Sequence, residues 1–414
     1  MAAAILLAMS TRPNTAVTSR LTGMVCLRCA EPWPVADYES GCPRCATEGH
    51  ASNLQLTYAP GERGVSLPYP DAPCLGEGAT PLVELPELAR ALKLGRLSAK
   101  IEWCNPTGSH KDRMSAQLIA RALDRGAPRV VAASSGNGGL SVAAYAARAG
   151  LAAEIATTDA LPQVYRSAIT AHGASIASFA GSMARWQHLA KRVGQGAFAA
   201  TNYKVPAIGT NPFGIEGYKT IAAELASETM PDLVVVPCSR GDLLSGIRLG
   251  FEEIGAGLPM LVAAEPFARL ERVLAGADYR EQFAGDTAQA SIAGSTVTWQ
   301  AVAALRASAG RAVSVDDDAA RAAQRRLAAC GLHAELSAVS ALAALAAIAA
   351  DGGLSGRHAV IVLTGAGSRD PGDTDLAARP WNEAASEEAL AQPATTGALP
   401  QRTDPSVQQK RENG

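Results

Sequence analysis

Asn105-Pro106-Thr107-Gly108-Ser109-His110-Lys111-Asp112-Arg113 stands between an extended run, Ala99-Lys-Ile-Glu-Trp103, and a helical pattern from Met114 to Leu123. Pro106 and Gly108 stop the strand, and Ser109 is placed to cap the helix. Lys111 then falls in the first turn, where its ammonium faces the positive end of the helix dipole. A lysine gains no stability there. One whose amine is kept neutral, or joined to a carbonyl as an imine, is at home there. A solvated lysine on an amphipathic helix fits this stretch equally well in isolation, so the rest of the chain has to decide.

The 414 residues exceed one ordinary core and predict two domains with additions. Apolar residues make up 48%, charged ones 18%, and the net charge is -2. With no basic stripe, nucleic acid is excluded as a partner. The apolar opening Met1–Met9 has no preceding positive charge and is too short for a membrane span, so no membrane partner is expected. Cysteine usage fits a reducing cytoplasm. Four of the eight cysteines form two pairs, Cys26-Leu-Arg-Cys29 and Cys42-Pro-Arg-Cys45, twelve residues apart. Two tight turns offering two thiolates each make a closed tetrahedral site for a structural Zn2+. A metal-free relic and a redox pair are the alternatives, and Ala30 and Ala46 stand where glycines usually relax such turns.

Residues 61–82 are rich in Gly and Pro and read as an irregular lead-in. Arg129–Ala133 reads as a buried strand, Ser134-Ser135-Gly136-Asn137-Gly138-Gly139 as a turn and Leu140–Ala149 as a helix, a unit whose backbone amides cradle an anion. Asn137 adds an amide able to donate to an oxygen on a bound ring. Strands at Ala152–Ala156 and Ala174–Phe179 alternate with helices at Pro162–Ala171 and Ser182–Val193, giving a parallel α/β domain over 98–205. Later strands, Leu233–Pro237, Met260–Ala264 and His358–Leu363, empty into glycine-bearing loops at Cys238–Gly246 and Thr364–Pro371. That pattern puts a ligand in the crevice between two parallel sheets. The expected division is an extension with the cysteine knuckle (1–60), a large domain (61–97 with 206–395), the small domain (98–205) and a disordered polar tail (396–414).

The Asn105–Arg113 stretch resembles the NPTGSFKDR of threonine synthases, members of the tryptophan-synthase-β (type II) family of pyridoxal-phosphate (PLP) enzymes. Leu75-Gly-Glu-Gly-Ala-Thr-Pro-Leu82, Ser135-Gly-Asn137, Asn211–Thr220, Gly331–Ala338, Thr364-Gly-Ala-Gly367 and the cysteine knuckle are similar to its other landmarks, in the same order. The resemblance implies two parallel-sheet α/β domains with PLP in the cleft and a small zinc-ribbon-like knuckle. It implies that Lys111 bonds the cofactor's aldehyde, that Asn137 faces its phenolic oxygen and Thr364 its ring nitrogen. It places the cofactor phosphate at Ser239, Arg240 and Gly241, and the substrate at Lys100, His110, Ser134, Ser135, Gly136 and Asn137. A homodimer is allowed.

Departures from the pattern fall where the family binds phosphates. The glycine-rich phosphate loop is replaced by Ser239-Arg-Gly-Asp-Leu243, in which Asp242 is unwelcome unless it points outward. The family's threonine after SGN is Gly138, the arginine of its NPxR is Gly214, and the lysine expected after Pro162 is Tyr165. Arg166 stands one step further on, about 100° around the helix. His110 replaces a phenylalanine and matches the histidine of tryptophan synthase β, either at the substrate or packed behind it. The implied activity is a PLP-dependent lyase or replacement enzyme of amino-acid metabolism. It would act on a substrate other than phosphohomoserine; the alternative is a genuine threonine synthase.

Overall fold

The computed structural model describes residues 16–61, 64–350 and 352–369. The opening Met1–Met9, Pro371 and the tail from 396 lie outside them. Near the start, β1 (Leu21–Cys26), β2 (Pro32–Trp33) and β3 (Leu54–Tyr58) pair antiparallel in the order β2-β1-β3. The short helix α1 (Pro43–Thr47) carries Cys45 and begins at Pro43, whose fixed φ suits a first helical position. After β4 (Leu82–Glu84) and β5 (Arg96–Ile101) comes α2 (Lys111–Asp124).

A four-stranded parallel sheet follows, built from β6 (Arg129–Ala133), β7 (Ala152–Thr158), β8 (Ser175–Phe179) and β9 (Phe198–Ala199) in the order β8-β7-β6-β9. It carries α3 (Asn137–Arg148) and α4 (Ser182–Val193). The last part of the chain supplies β10 (Leu233–Pro237), β11 (Met260–Glu265), β12 (Arg311–Ser314) and β13 (His358–Leu363), with α5 (Asp242–Ile254), α6 (Trp299–Ala307) and α7 (Leu336–Ala350) between them. These join β4 and β5 in a six-stranded sheet ordered β12-β11-β10-β13-β5-β4, parallel except at the β4–β5 edge.

Alternation sorts the core. Leu233 and Val235 of β10 pack in one layer with Leu342 and Leu345 of α7. Val234 and Val236 face the other, with Leu244 and Ile247 of α5. α7 has no polar stripe and is buried along most of its length, as a helix apolar on every side must be. One boundary differs from the sequence reading, which starts the small domain at residue 98. β5 pairs with β13 and so belongs to the larger sheet. Ser98 and Lys100 are as buried as Leu97, Ala99 and Ile101, the mark of a strand covered on both faces. Among the described residues, no helix is long and apolar enough to cross a membrane.

β6, β10 and β13 end at Ala133, Pro237 and Leu363, and the loops that follow all open on one crevice. That is where parallel α/β sheets place their ligands.

Candidate active site

Lys111 is the first residue of α2, and its neighbours fix it from two sides. The buried Asp112 accepts from the Thr107 amide (2.6 Å), from the Thr107 hydroxyl and from Ser141 of α3 (2.6 Å). Arg113 places Nε on Glu102 (2.8 Å) and its terminal nitrogens on Glu224 (2.5 and 2.9 Å). Ser109 stands one position before the N-cap, and its hydroxyl accepts from the Lys111 amide at 3.4 Å. His110 takes the N-cap position without a capping bond, and the Ser109 backbone also bridges to Gly365. The His110 amide donates to the Thr364 carbonyl at 3.1 Å, which ties the lysine's loop to the end of β13.

Lys100, expected at the substrate, is a correction. It is buried in the ion network behind the site, 2.6 Å from Glu224 and donating to the Thr80 carbonyl at 2.5 Å, and it does not line the crevice. A buried ammonium needs a carboxylate, and Glu224 supplies it.

The crevice holds a cavity of about 430 Å³. It brings together His110 and Lys111, the loop Ser134–Gly138, the turn Ser239–Gly241 and Thr364. The Lys111 amine lies 3.4 Å from the Tyr218 hydroxyl. Burial holds its pKa below the usual lysine value; Asp242 and Glu335 oppose this and Arg240 reinforces it. Burial also pushes the His110 imidazole well below its ordinary pKa, and the Lys111 charge adds to that. His110 is therefore neutral near pH 7, with Nδ1 3.3 Å from the Thr364 carbonyl and its ring packed 5.6 Å from that of Tyr218.

Asn137 opens α3 with its amide held at both ends. Nδ2 donates to Glu335 at 2.9 Å, and Oδ1 accepts from the Tyr165 hydroxyl at 2.9 Å. One N–H remains for a ligand. Tyr165 therefore supports Asn137 from behind. Glu335 had no assigned role from sequence; the signal was an acid directly before a wholly apolar helix. At Gly214 the sequence reading needs revision. A Cβ there would run into Leu118 of α2, so this position faces packed core and not the cavity. Gly138 does line the cavity, whereas Arg166 spends its donors on the carbonyls of Thr158, Asp159 and Leu161.

Gly241 has φ +81° and lies so close to Ala301 that a Cβ would overlap it; both demand glycine. The turn it makes aims the first amides of α5 into the cavity. Asp242 stands in the cavity wall with its carboxylate engaged there, accepting from the Thr210 amide (3.0 Å) and hydroxyl (2.8 Å) and from Gln300 (2.5 Å). Arg240 lies 5.6 Å from the Trp186 ring centroid, and its Nε is buried with no partner. Burial disfavours its charge, which the Asp242 carboxylate partly offsets. A phosphate fits this cup: amides at a helix start, a hydroxyl at Ser239 and a guanidinium lacking an acceptor. A second cavity residue, Arg185 on α4, was not foreseen; its buried Nε also lacks a partner.

In the knuckle, Cys26 Sγ lies 3.7 Å from Cys45 Sγ, Cys29 Sγ lies 3.7 Å from Cys42 Sγ, and all four sulfurs fall within 4.8 Å of one another. Four thiolates about 2.3 Å from one ion stand about 3.8 Å apart, so the set fits a tetrahedral metal. The knuckle also reaches the cavity. Asn53 donates to the Thr210 carbonyl (2.8 Å) and to Gln300 (3.0 Å), the residue that holds Asp242.

A sequence model described as "Pyridoxal-phosphate dependent enzyme" matches residues 74–365. A threonine synthase of Halalkalibacterium halodurans is 30% identical over 315 residues, covering 72% of this chain and 84% of the relative. One from Methanosarcina acetivorans is 31% identical over 316 residues, covering 71% and 76%. Among solved structures, a cysteine synthase of Entamoeba histolytica superposes with a TM-score of 0.65 at 20% identity, over 81% of this chain and 98% of the other. That likeness concerns the fold alone.

Proposed function

The chain belongs to the type II pyridoxal-phosphate dependent enzymes as a relative of the threonine synthases, and on that premise we propose that it is a lyase or replacement enzyme acting at the side chain of an amino acid. It would remove the α-proton and then expel a side-chain group, with or without adding another in its place. The observation that carries this reading is Lys111, a half-buried amine with a lowered pKa at the wrong end of a helix for stability, in one cavity with Asn137, Thr364 and the Arg240 cup.

Bound PLP supplies the electron sink that makes an α-proton acidic. The residues of this chain do the rest. Lys111, uncharged over more of the pH range than a free lysine, would hold the cofactor's aldehyde, and its Nζ would take the α-proton. Asn137, fixed by Glu335 and Tyr165, offers its remaining N–H to the cofactor ring oxygen. The first amides of α3 receive the substrate carboxylate. Thr364 offers a hydroxyl, not a carboxylate, to the ring nitrogen. Cys26, Cys29, Cys42 and Cys45 hold a structural zinc ion away from the chemistry.

A second reading, formation of threonine and phosphate from O-phosphohomoserine and water, is favoured by the names of the sequence relatives. Steady-state kinetics with phosphohomoserine, serine, threonine and other β-substituted amino acids separates the two. Threonine formation from phosphohomoserine at a kcat/KM of about 10⁴ M⁻¹s⁻¹ or more selects the second reading. A protein that takes up no PLP and turns over none of the panel sinks both.

A further inference from the structure

We infer that Arg185 is a specificity-determining residue that recognises a negatively charged group on the substrate's side chain, which makes the substrate an amino acid carrying a carboxylate or a phosphate there. The inference rests on the PLP-dependent reading above and deepens it. A PLP enzyme acting on a plain amino acid must hold two anions, the cofactor phosphate and the α-carboxylate. This cavity offers three places for one: the Ser239–Gly241 turn with Arg240, the amides at the start of α3, and Arg185. The third is surplus unless the substrate brings a third anion.

Arg185 has no structural reason to be there. It lies in the first turn of α4, where a cation faces the positive end of the dipole. Further along that helix, His188 and Arg192 both pair with Glu154. Arg185 instead lines the cavity, and among the described residues it makes no ion pair or side-chain hydrogen bond. Burial disfavours its charge, and Arg240 disfavours it further. Of the two guanidiniums, Arg240 has the Asp242 carboxylate to offset its charge, whereas no carboxylate offsets that of Arg185, which is left for an anion that enters the cavity. Arg240 sits beside the cup at the start of α5, on the side of the six-stranded sheet, so the cofactor phosphate falls to it. Arg185 comes from the smaller sheet's side and is left for the substrate.

The test uses holoenzyme and three unreactive probes of similar chain length: L-norvaline (neutral), L-glutamate (carboxylate) and L-2-amino-5-phosphonopentanoate (phosphonate). Binding is read from the cofactor's absorbance on titration. Wild type should bind at least one anionic probe about 10- to 100-fold more tightly than norvaline, and the tighter of the two tells carboxylate from phosphate. Arg185→Gln should reduce that preference to about threefold or less, and Arg185→Lys should keep part of it. Cofactor affinity should hold in Arg185→Gln and fall about tenfold or more in Arg240→Gln. Wild type without any preference for an anion overturns the inference, and that result needs no variant to fold. So does a preference that survives Arg185→Gln, or a cofactor affinity that Arg185→Gln lowers as much as Arg240→Gln. A wild type that takes up no cofactor overturns the PLP reading, and this inference with it.

Discussion

In the cysteine knuckle, four sulfurs drawn from Cys26 to Cys45 stand within 4.8 Å of one another, whereas the groups that meet in the cavity are drawn from His110 to Thr364. The knuckle is closed: its sulfurs face each other, and an ion among them would have no open position. The cavity is open and holds polar groups that the fold leaves unpaired, the Nε atoms of Arg185 and Arg240 among them. Buried donors without acceptors occur in the knuckle segment too, at Arg28 and Trp33, so it is the cavity they share that marks Arg185 and Arg240 as groups a ligand can complete. The knuckle gathers its ligands from one short stretch of chain, and the cavity gathers its groups from residues far apart in sequence.

The sharpest way to break that contrast is Lys111→Ala. Covalent PLP, trapped with borohydride, should vanish and turnover should fall by about 10³-fold or more. A borohydride-stable label that persists in the variant would mean the wrong lysine has been assigned. For the knuckle, wild type should carry about one zinc per chain, and Cys42→Ser should lose it together with several kcal/mol of stability. Metal analysis with denaturant unfolding reads both, and a metal-free wild type of equal stability and activity would show the knuckle to be a relic.

Lys100→Met probes the boundary between fold and site. Removing one partner of a buried ion network costs about 3 kcal/mol or more, and KM should not change. A raised KM at unchanged stability would return Lys100 to the substrate. Gln300→Leu leaves Asn53 and Asp242 each short of a partner. It should weaken cofactor binding by about tenfold while zinc content stays constant, and loss of the metal would show that the coupling runs the other way.

The smallest effect expected is at His110. Its folded pKa lies well below the unfolded value of about 6.5. Between those two values the unfolded chain binds more protons than the folded one. Stability therefore rises with pH through that window, levels off above about 6.5, and is lost as the pH falls. His110→Phe should remove a slope of at most about 1.4 kcal/mol per pH unit. The comparison is unfolding free energy near pH 5.5 and 7 in cofactor-free protein; equal slopes in the two proteins would show that the imidazole takes up its proton as readily in the fold as in the unfolded chain.

Sequence patterns revealed much of the frame. β10, α4 and β13 have the bounds that turn signals and apolar runs predict, because in each the local pattern and the burial agree. β12 and α6 escaped notice: Arg311–Ser314 is a short, half-exposed edge, and its residues alternate too little to register. Most of the expected residues come together around the cavity, since loops after parallel strands must converge there. Lys100 misled because a lysine ahead of the motif looks the same whether it meets a substrate or a glutamate 124 positions away. Arg185 was invisible for the opposite reason. On an amphipathic helix any arginine reads as solvated, and only its lack of an acid in space sets it apart.

The bonds from Asn53 to Gln300 and from Gln300 to Asp242 bear on how this chain can be taken apart. The knuckle looks like a cassette, a short cysteine-bearing segment to be exchanged or deleted at will. Yet Trp299 donates to the Leu27 carbonyl, Tyr279 to that of Ala51, and Asn53 to that of Thr210. Cutting at residue 60 would strip acceptors from the buried Tyr279 and the half-buried Trp299, and from Gln300 the donor that orients its amide toward Asp242. A grafted knuckle would have to carry the counterparts of Leu27, Ala51 and Asn53, not merely its four cysteines, before the recipient accepted it as its own.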